Sequence, residues 1–184
     1  TVIDEVQLVP ELLHEVHWLI EERNLVFALC GSSARKLRHG AANLLGGRAL
    51  RYELHGFVSA ELGDDFDLTR ILNRGYLPPL YFEAAPERLL QSYVADYLQT
   101  EIAAEGVVRN LPAFSSFLSA AAICDTELVS YSNIASDCGV SSPTVKEYYQ
   151  ILIDTLIGQS VQAYQPRPKR KVKHAPKFYF GDIG

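Results

Sequence analysis

Thr1-Val2-Ile3-Asp4-Glu5 decides how the first part of this chain is read. Two β-branched apolar residues run straight into two carboxylates, the pattern of a buried strand with acids at its C-terminal tip. A second short apolar run, Leu25-Val26-Phe27-Ala28-Leu29-Cys30, stops at Gly31-Ser32-Ser33. Between the two, Pro10 precedes an apolar stripe of Leu12, Val16, Leu19 and Ile20, which predicts a helix over 11–22 with proline in its first turn. Strand, helix and strand in that order predict a βαβ unit and hence a parallel sheet. Ligands of such sheets sit at the C-terminal ends of the strands, where Asp4, Glu5, Ser32 and Ser33 are expected to gather.

The chemistry of the two acids derives from their position. At a strand tip in a nucleotide-hydrolysing domain, Asp4 is placed to hold Mg²⁺ through water, and Glu5 to polarise the water that attacks the γ-phosphate, the Walker B arrangement. The plainer reading is a strand end with solvated acids, and Ser32 or Ser33 serves equally as an N-cap for a helix over 34–45. The usual companion is the phosphate-cradling loop Gly-x-x-x-x-Gly-Lys-Ser/Thr. No Gly-Lys pair occurs in the sequence, and there is no Met. The chain is therefore expected to be an internal piece of a longer protein, with that loop upstream and more chain beyond Gly184. By itself it is not expected to bind ATP–Mg²⁺ tightly.

With 184 residues the chain can bury a core of one or two domains. Hydrophobic content of 48% and charged content of 21% fit a globular protein rather than a disordered one. No apolar run approaches the roughly 20 residues of a membrane span, so no membrane partner is expected. Cys30, Cys124 and Cys138 are scattered, with no C-x-x-C pair, which argues against a zinc site or a disulfide framework and favours the cytoplasm. The five histidines have no metal-ligand spacing. Charge is divided unevenly: residues 1–164 carry 11 Lys/Arg against 21 Asp/Glu, whereas residues 165–184 carry six against Asp182 alone, so the net −5 averages −10 and +5.

Further along, Gly46-Gly47 breaks the helix over 34–45 just before Arg48, and 50–54 alternates apolar and polar residues as a strand does. Residues 59–62 and 67–72 predict short helices, Gly75-Tyr76-Leu77-Pro78-Pro79 a linker-like turn, and 86–105 a long helix. Another helix is expected over 111–123. The stretch Tyr131-Ser132-Asn133-Ile134-Ala135-Ser136-Asp137-Cys138-Gly139-Val140-Ser141-Ser142-Pro143-Thr144-Val145 then reads helix, glycine turn, helix. Ser132 is the expected cap of the first helix and Ser141 or Ser142 of the second, with Ile134, Val140, Val145 and Leu152 as a small core. A basic stretch over 166–177 leading into Phe178-Tyr179-Phe180 predicts a hairpin over 162–180, the wing of a winged helix.

Taken together, Val2-Ile3-Asp4-Glu5-Val6-Gln7, Gly31-Ser32-Ser33-Ala34-Arg35, Gly47-Arg48-Ala49, Arg109-Asn110-Leu111-Pro112, the Ser132–Val145 motif, Asp154-Thr155-Leu156-Ile157-Gly158 and Lys177-Phe178-Tyr179-Phe180 resemble, in this order, the prokaryotic predicted ATPases of the AAA+ superfamily. Members of that family join a P-loop ATPase domain to a winged helix and a C-terminal domain of uncharacterised function with nuclease-like features. The resemblance implies an α/β remnant of a P-loop NTPase parallel sheet, then an α-helical region and a winged helix-turn-helix. It implies a C-terminal half of the ATPase domain over 1–76, a helical linker or lid over 77–125, the winged helix over 126–180 and the start of a further domain at 181–184, with Asp182 as its first acid. It further implies ATP and Mg²⁺ as ligands, Asp4 and Glu5 as Walker B, Ser32 or Ser33 as the polar sensor, and Arg48 as an arginine meeting the γ-phosphate in cis or from a neighbouring subunit of a homo-oligomer.

The winged helix leaves two partners open, double-stranded DNA or a protein. Its second helix offers only Lys146, beside Glu147, which is thin for reading a groove. Arg167, Lys169, Arg170, Lys171 and Lys173 add a basic wing able to hold phosphates, or form a solvated hairpin. Two functions are therefore weighed: an ATPase that drives its winged helix and effector domain, and a non-catalytic DNA- or protein-binding module.

Overall fold

A computed structural model describes residues 1–31, 49–50, 52–98, 108, 110–164 and 175–184, with side chains at 96–98 left aside. The chain forms two compact units, Thr1–Glu53 and Leu54–Gly184.

In the first unit, β1 (Val2–Ile3) pairs in parallel with β2 (Ala28–Leu29), Val2 opposite Ala28 and Ile3 opposite Leu29. The helix α1 (Leu12–Arg23) supplies the crossover, so the expected βαβ unit is present. Asn24, in the left-handed region at φ 51°, ends the helix, and its N–H donates to the Leu19 carbonyl. Val6, Leu13 and Val16 are buried together, with Ile3, Leu12, Ile20, Phe27 and Leu29 packed on them. Leu13 and Val16 lie three apart on α1, and one helix face thereby covers the strand pair.

The second unit begins with short helices, α2 (Ser59–Leu62), α3 (Leu68–Arg74), α4 (Pro78–Tyr81) and α5 (Pro86–Ser92). Fully buried Tyr81 organises them: its ring stands edge-on to Phe57 and Phe82, and Arg70 lies 5.2 Å from its centroid. Its hydroxyl accepts from the Asp67 N–H at 2.9 Å and donates to the Asp65 carbonyl at 2.5 Å. The Asp67 side chain caps α3 by accepting from the Arg70 N–H at 3.1 Å.

The rest is a winged helix. Asn110 caps α6 (Leu111–Ile123) through the Ala113 N–H at 3.1 Å, with Pro112 in the first turn. Helix α7 (Tyr131–Cys138) stops at Gly139, which adopts φ +65°, the left-handed geometry that glycine takes without a Cβ penalty. Ser141 then caps α8 (Ser142–Asp154), its hydroxyl accepting from the Thr144 N–H at 3.3 Å. The strands β3 (Gly158–Val161) and β4 (Lys177–Phe180) pair antiparallel. The Thr126 and Val129 N–H groups donate to the Phe178 and Pro176 carbonyls, adding a third, shorter edge. Phe114, Phe117, Ile134, Val145, Tyr148, Tyr149, Leu152 and Phe178 close the core between the three helices and β4.

Four expectations change. Residues 50–54 form no strand where described: Leu50, Tyr52 and Leu54 are 83, 85 and 95% exposed, and alternation without a neighbouring strand leaves the ladder unsatisfied. The long helix over 86–105 is α-helical only to Ser92 and continues as the π-helical turn Tyr93–Leu98. The cap of α7 is Ser130, not Ser132, because Ser132 already lies inside the helix; the two hydroxyls are 3.4 Å apart. The hairpin opens at Gly158, before Gln162. Val140 packs on the core but is not itself in its buried set. The expected helix over 34–45 lies outside the described residues.

Candidate functional site

The parallel ladder fixes the acidic tip. The Cys30 N–H donates to the Ile3 carbonyl at 2.9 Å, and the Val6 N–H donates back to the Cys30 carbonyl at 3.1 Å. Asp4 and Glu5 thus sit between two rungs, beside the end of β2 from which Gly31 leads into Ser32. Both acids are exposed. Glu5 adopts φ 50°, ψ 39°, the left-handed region that costs a non-glycine residue about 1–2 kcal/mol. Three contacts hold it there. Its N–H donates to Asp4 Oδ1 at 3.0 Å, its carbonyl accepts from the Leu8 N–H at 2.9 Å, and its carboxylate accepts from the Gln7 side-chain amide. A strained residue held by its surroundings at a strand tip is a common mark of a working position.

The donor set suits a hard cation. Carboxylate oxygens at an exposed tip are the ligands that Mg²⁺ takes, directly or through water, and Asp4 is the residue that would hold it. The amides and lysine that cradle phosphates have no counterpart in the sequence, which contains no Gly-Lys pair. Of the other expected nucleotide-side residues, Ser32, Ser33 and Arg48 lie outside the described residues. Among the described residues no group of three or more His, Cys, Asp or Glu comes together as a metal site. His17 instead faces Glu21 one turn on, at 3.9 Å.

At the winged helix, α8 exposes Pro143, Lys146, Glu147 and Gln150. Lys146 Nζ stands 5.2 Å from the centroid of the Tyr131 ring, whose hydroxyl burial pushes up in pKa. This cation–π contact, of about 0.5–1 kcal/mol at an exposed site, holds the ammonium against the protein. No sequence spacing foretold it, since Tyr131 and Lys146 belong to different helices. Arg167, Lys169, Arg170, Lys171 and Lys173 lie outside the described residues. Tyr148 and Tyr149 are buried in the core.

A parallel strand pair with an acidic tip is thus followed along the chain by short helices and a winged-helix-like unit. Residues 1–63 match a family model described as an AAA domain. Residues 65–184, more than half of the chain, match the family described as Domain of unknown function (DUF8612), and the chain belongs to that family. Neither the curated proteins nor the solved structures give a match. No helix among the described residues is long and apolar enough to cross a membrane.

Proposed function

We propose that this chain is the Walker B portion and winged helix of a cytoplasmic, prokaryotic ATPase whose nucleotide cycle moves the winged helix and a C-terminal effector domain. Asp4 would hold Mg²⁺ through water, and Glu5 would polarise the water that attacks the γ-phosphate. Ser32 or Ser33 senses the γ-phosphate, and Arg48 meets it in cis or from a second subunit. ATP–Mg²⁺ supplies the electrophilic phosphorus and its charge neutralisation. What carries this reading is the strained, three-way-held Glu5 at the tip of a parallel strand, within the stretch that matches the AAA domain. The domain limits proposed are 1–76, 77–125, 126–180 and 181–184, with α6 at the end of the second stretch packing into the winged-helix core. Duplex DNA is the proposed partner of the winged helix, through Lys146 and the basic residues Arg167, Lys169, Arg170, Lys171 and Lys173.

One observation favours a second reading, a protein- or DNA-binding module without turnover. The exposed face of α8 pairs one cation with one anion, and that cation is held on Tyr131. A single experiment on the complete protein separates the two. The ATPase reading expects Glu5→Gln to keep ATP binding while hydrolysis falls by about 100-fold or more, the range of a lost general base. Wild-type hydrolysis unchanged in Glu5→Gln removes Glu5 from the role. No hydrolysis in the wild type leaves the binding module, whose duplex affinity is then read by fluorescence anisotropy across a salt series.

A further inference from the structure

Within the second unit, among the described residues, no element of the helical block α2–α5 packs extensively on an element of the winged helix. Tyr93, just past α5, packs on the winged-helix core. The second described tie is polar and joins residues 106 positions apart. The Tyr76 N–H donates to Asp182 Oδ2 at 3.0 Å, and the Gly184 N–H donates to the other oxygen of the same carboxylate at 3.1 Å. The Tyr76 hydroxyl donates to the Gly181 carbonyl. Gly181 is itself anchored, its N–H donating to the Ile157 carbonyl at 2.8 Å, where β3 begins.

The turn is shaped to receive this carboxylate. Gly75 ends α3 with φ +79°, and a Cβ there would run into Asp182. On the opposite side, the Tyr76 carbonyl accepts from the Phe57 N–H at 2.8 Å, so the stretch that leads into the helical block is held by the same residue. One tyrosine thus touches the entrance to the block, its central turn and the exit from β4. Asp182, expected as the first acid of a further domain, spends both oxygens on backbone N–H groups.

We propose that the Asp182 carboxylate is a latch, which fixes the exit of the winged helix to the Gly75–Tyr76 turn so that helical block and winged helix move together, and whose release lets them swing apart. The latch needs no nucleotide, and it stands or falls apart from the ATPase reading. Across the two parts the tie is one N–H donating to a charged oxygen, with the Tyr76 hydroxyl beside it, while the Gly184 N–H orients the carboxylate from its own side; a single event can remove it. It is therefore suited to a two-state element in a way that a spread apolar interface is not.

The test uses the 184-residue chain, with spin labels attached through a bio-orthogonal amino acid at Thr69 on α3 and Asn133 on α7, leaving the native cysteines alone. The wild type is expected to give one narrow distance distribution. Asp182→Ala should broaden it, and the Tyr76 amide should exchange with solvent about 10- to 100-fold faster, as for a lost hydrogen bond to a charged group. Asp182→Asn, which keeps one acceptor oxygen, should fall between. A narrow distribution in folded Asp182→Ala overturns the latch. If that variant does not fold, Asp182→Asn decides: broadening supports the latch, and a wild-type distribution overturns it.

Discussion

Among the described residues of Thr1–Glu53, the buried core is Val6, Leu13 and Val16, beneath a sheet of two short strands. In Leu54–Gly184 the winged helix alone closes a core of 13 buried residues, in which the aromatic rings pack edge-on or tilted against one another. The first region carries the candidate chemistry: two exposed carboxylates, one of them on left-handed backbone. The second carries most of the packing. Parallel strands gain their stability from cover on both faces and neighbours on both edges, and among the described residues of this region two strands and one helix supply little of either. The difference teaches that the acidic tip is held by a few backbone hydrogen bonds, while the winged helix is held by volume. Left-handed non-glycine backbone occurs in both regions, at Glu5 and Asn24 in the first and at Thr126 and Leu156 in the second, so what sets the acidic tip apart is its exposed carboxylates and the small described core beneath them.

The comparison can be broken first through the winged-helix core. Phe117 is fully buried between Phe114, Tyr148 and Tyr149. Phe117→Ala should cost about 3–5 kcal/mol of that unit's stability in urea unfolding monitored by near-ultraviolet circular dichroism. A loss below about 1 kcal/mol would mean that the aromatic cluster is not what holds the unit.

A smaller effect of opposite sign sharpens the same point. Among the described residues the buried Tyr149 hydroxyl has no hydrogen-bond partner, and the residue is 4% exposed. Burial, with Cys124, Tyr131, Cys138 and Asp125 adding to it, raises its pKa above the usual tyrosine value of 10.0. Removing the orphaned hydroxyl in Tyr149→Phe should stabilise the winged helix by about 1–3 kcal/mol at neutral pH. Linkage sets the sign with pH. The folded state keeps the phenol protonated while the unfolded state loses its proton above pH 10, so the unfolded state binds fewer protons and stability falls as pH rises further. Tyr149→Phe should lessen that alkaline sensitivity, the remainder resting with Tyr131 and Tyr148, whose burial also raises their pKa values. An unchanged urea midpoint across pH 9–11 in both proteins, a range set on either side of 10.0, contradicts it.

How much of the fold was legible depended on whether the determinant was local. Pro112 and Asn110 bracket the start of α6, and its observed span is the expected one. Gly139 and Ser141 mark the helix-turn-helix by backbone geometry and capping, both short-range. The acidic tip of β1 was readable because apolar β-branched residues meeting two acids need only one strand. Three things were not readable. The 50–54 stretch alternates correctly, yet a strand is defined by a neighbour that the alternation does not name. The switch to π-helical geometry at Tyr93 leaves no mark in a run of good helix formers. The Tyr76–Asp182 pairing spans too much sequence for any periodicity to report, although Gly75 before an aromatic residue was a visible turn signal. At the site, Glu5's left-handed backbone and Lys146's position on Tyr131 are tertiary outcomes, and Ser130 replaced Ser132 as cap because helix starts shift by one or two residues without changing composition.

Residue-resolved native-state hydrogen exchange on the 184-residue chain tests the comparison most directly, because it reads both regions in one molecule. The amides of Val145, Tyr149 and Leu152 on α8 should open only with global unfolding of the winged helix. Those of Val6, Ala28 and Cys30, which carry the ladder beneath Asp4 and Glu5, should exchange at least about 100-fold faster, through local opening. Equal protection of the two sets would contradict the account, since it would mean that the acidic tip rests on as firm a core as the winged helix does.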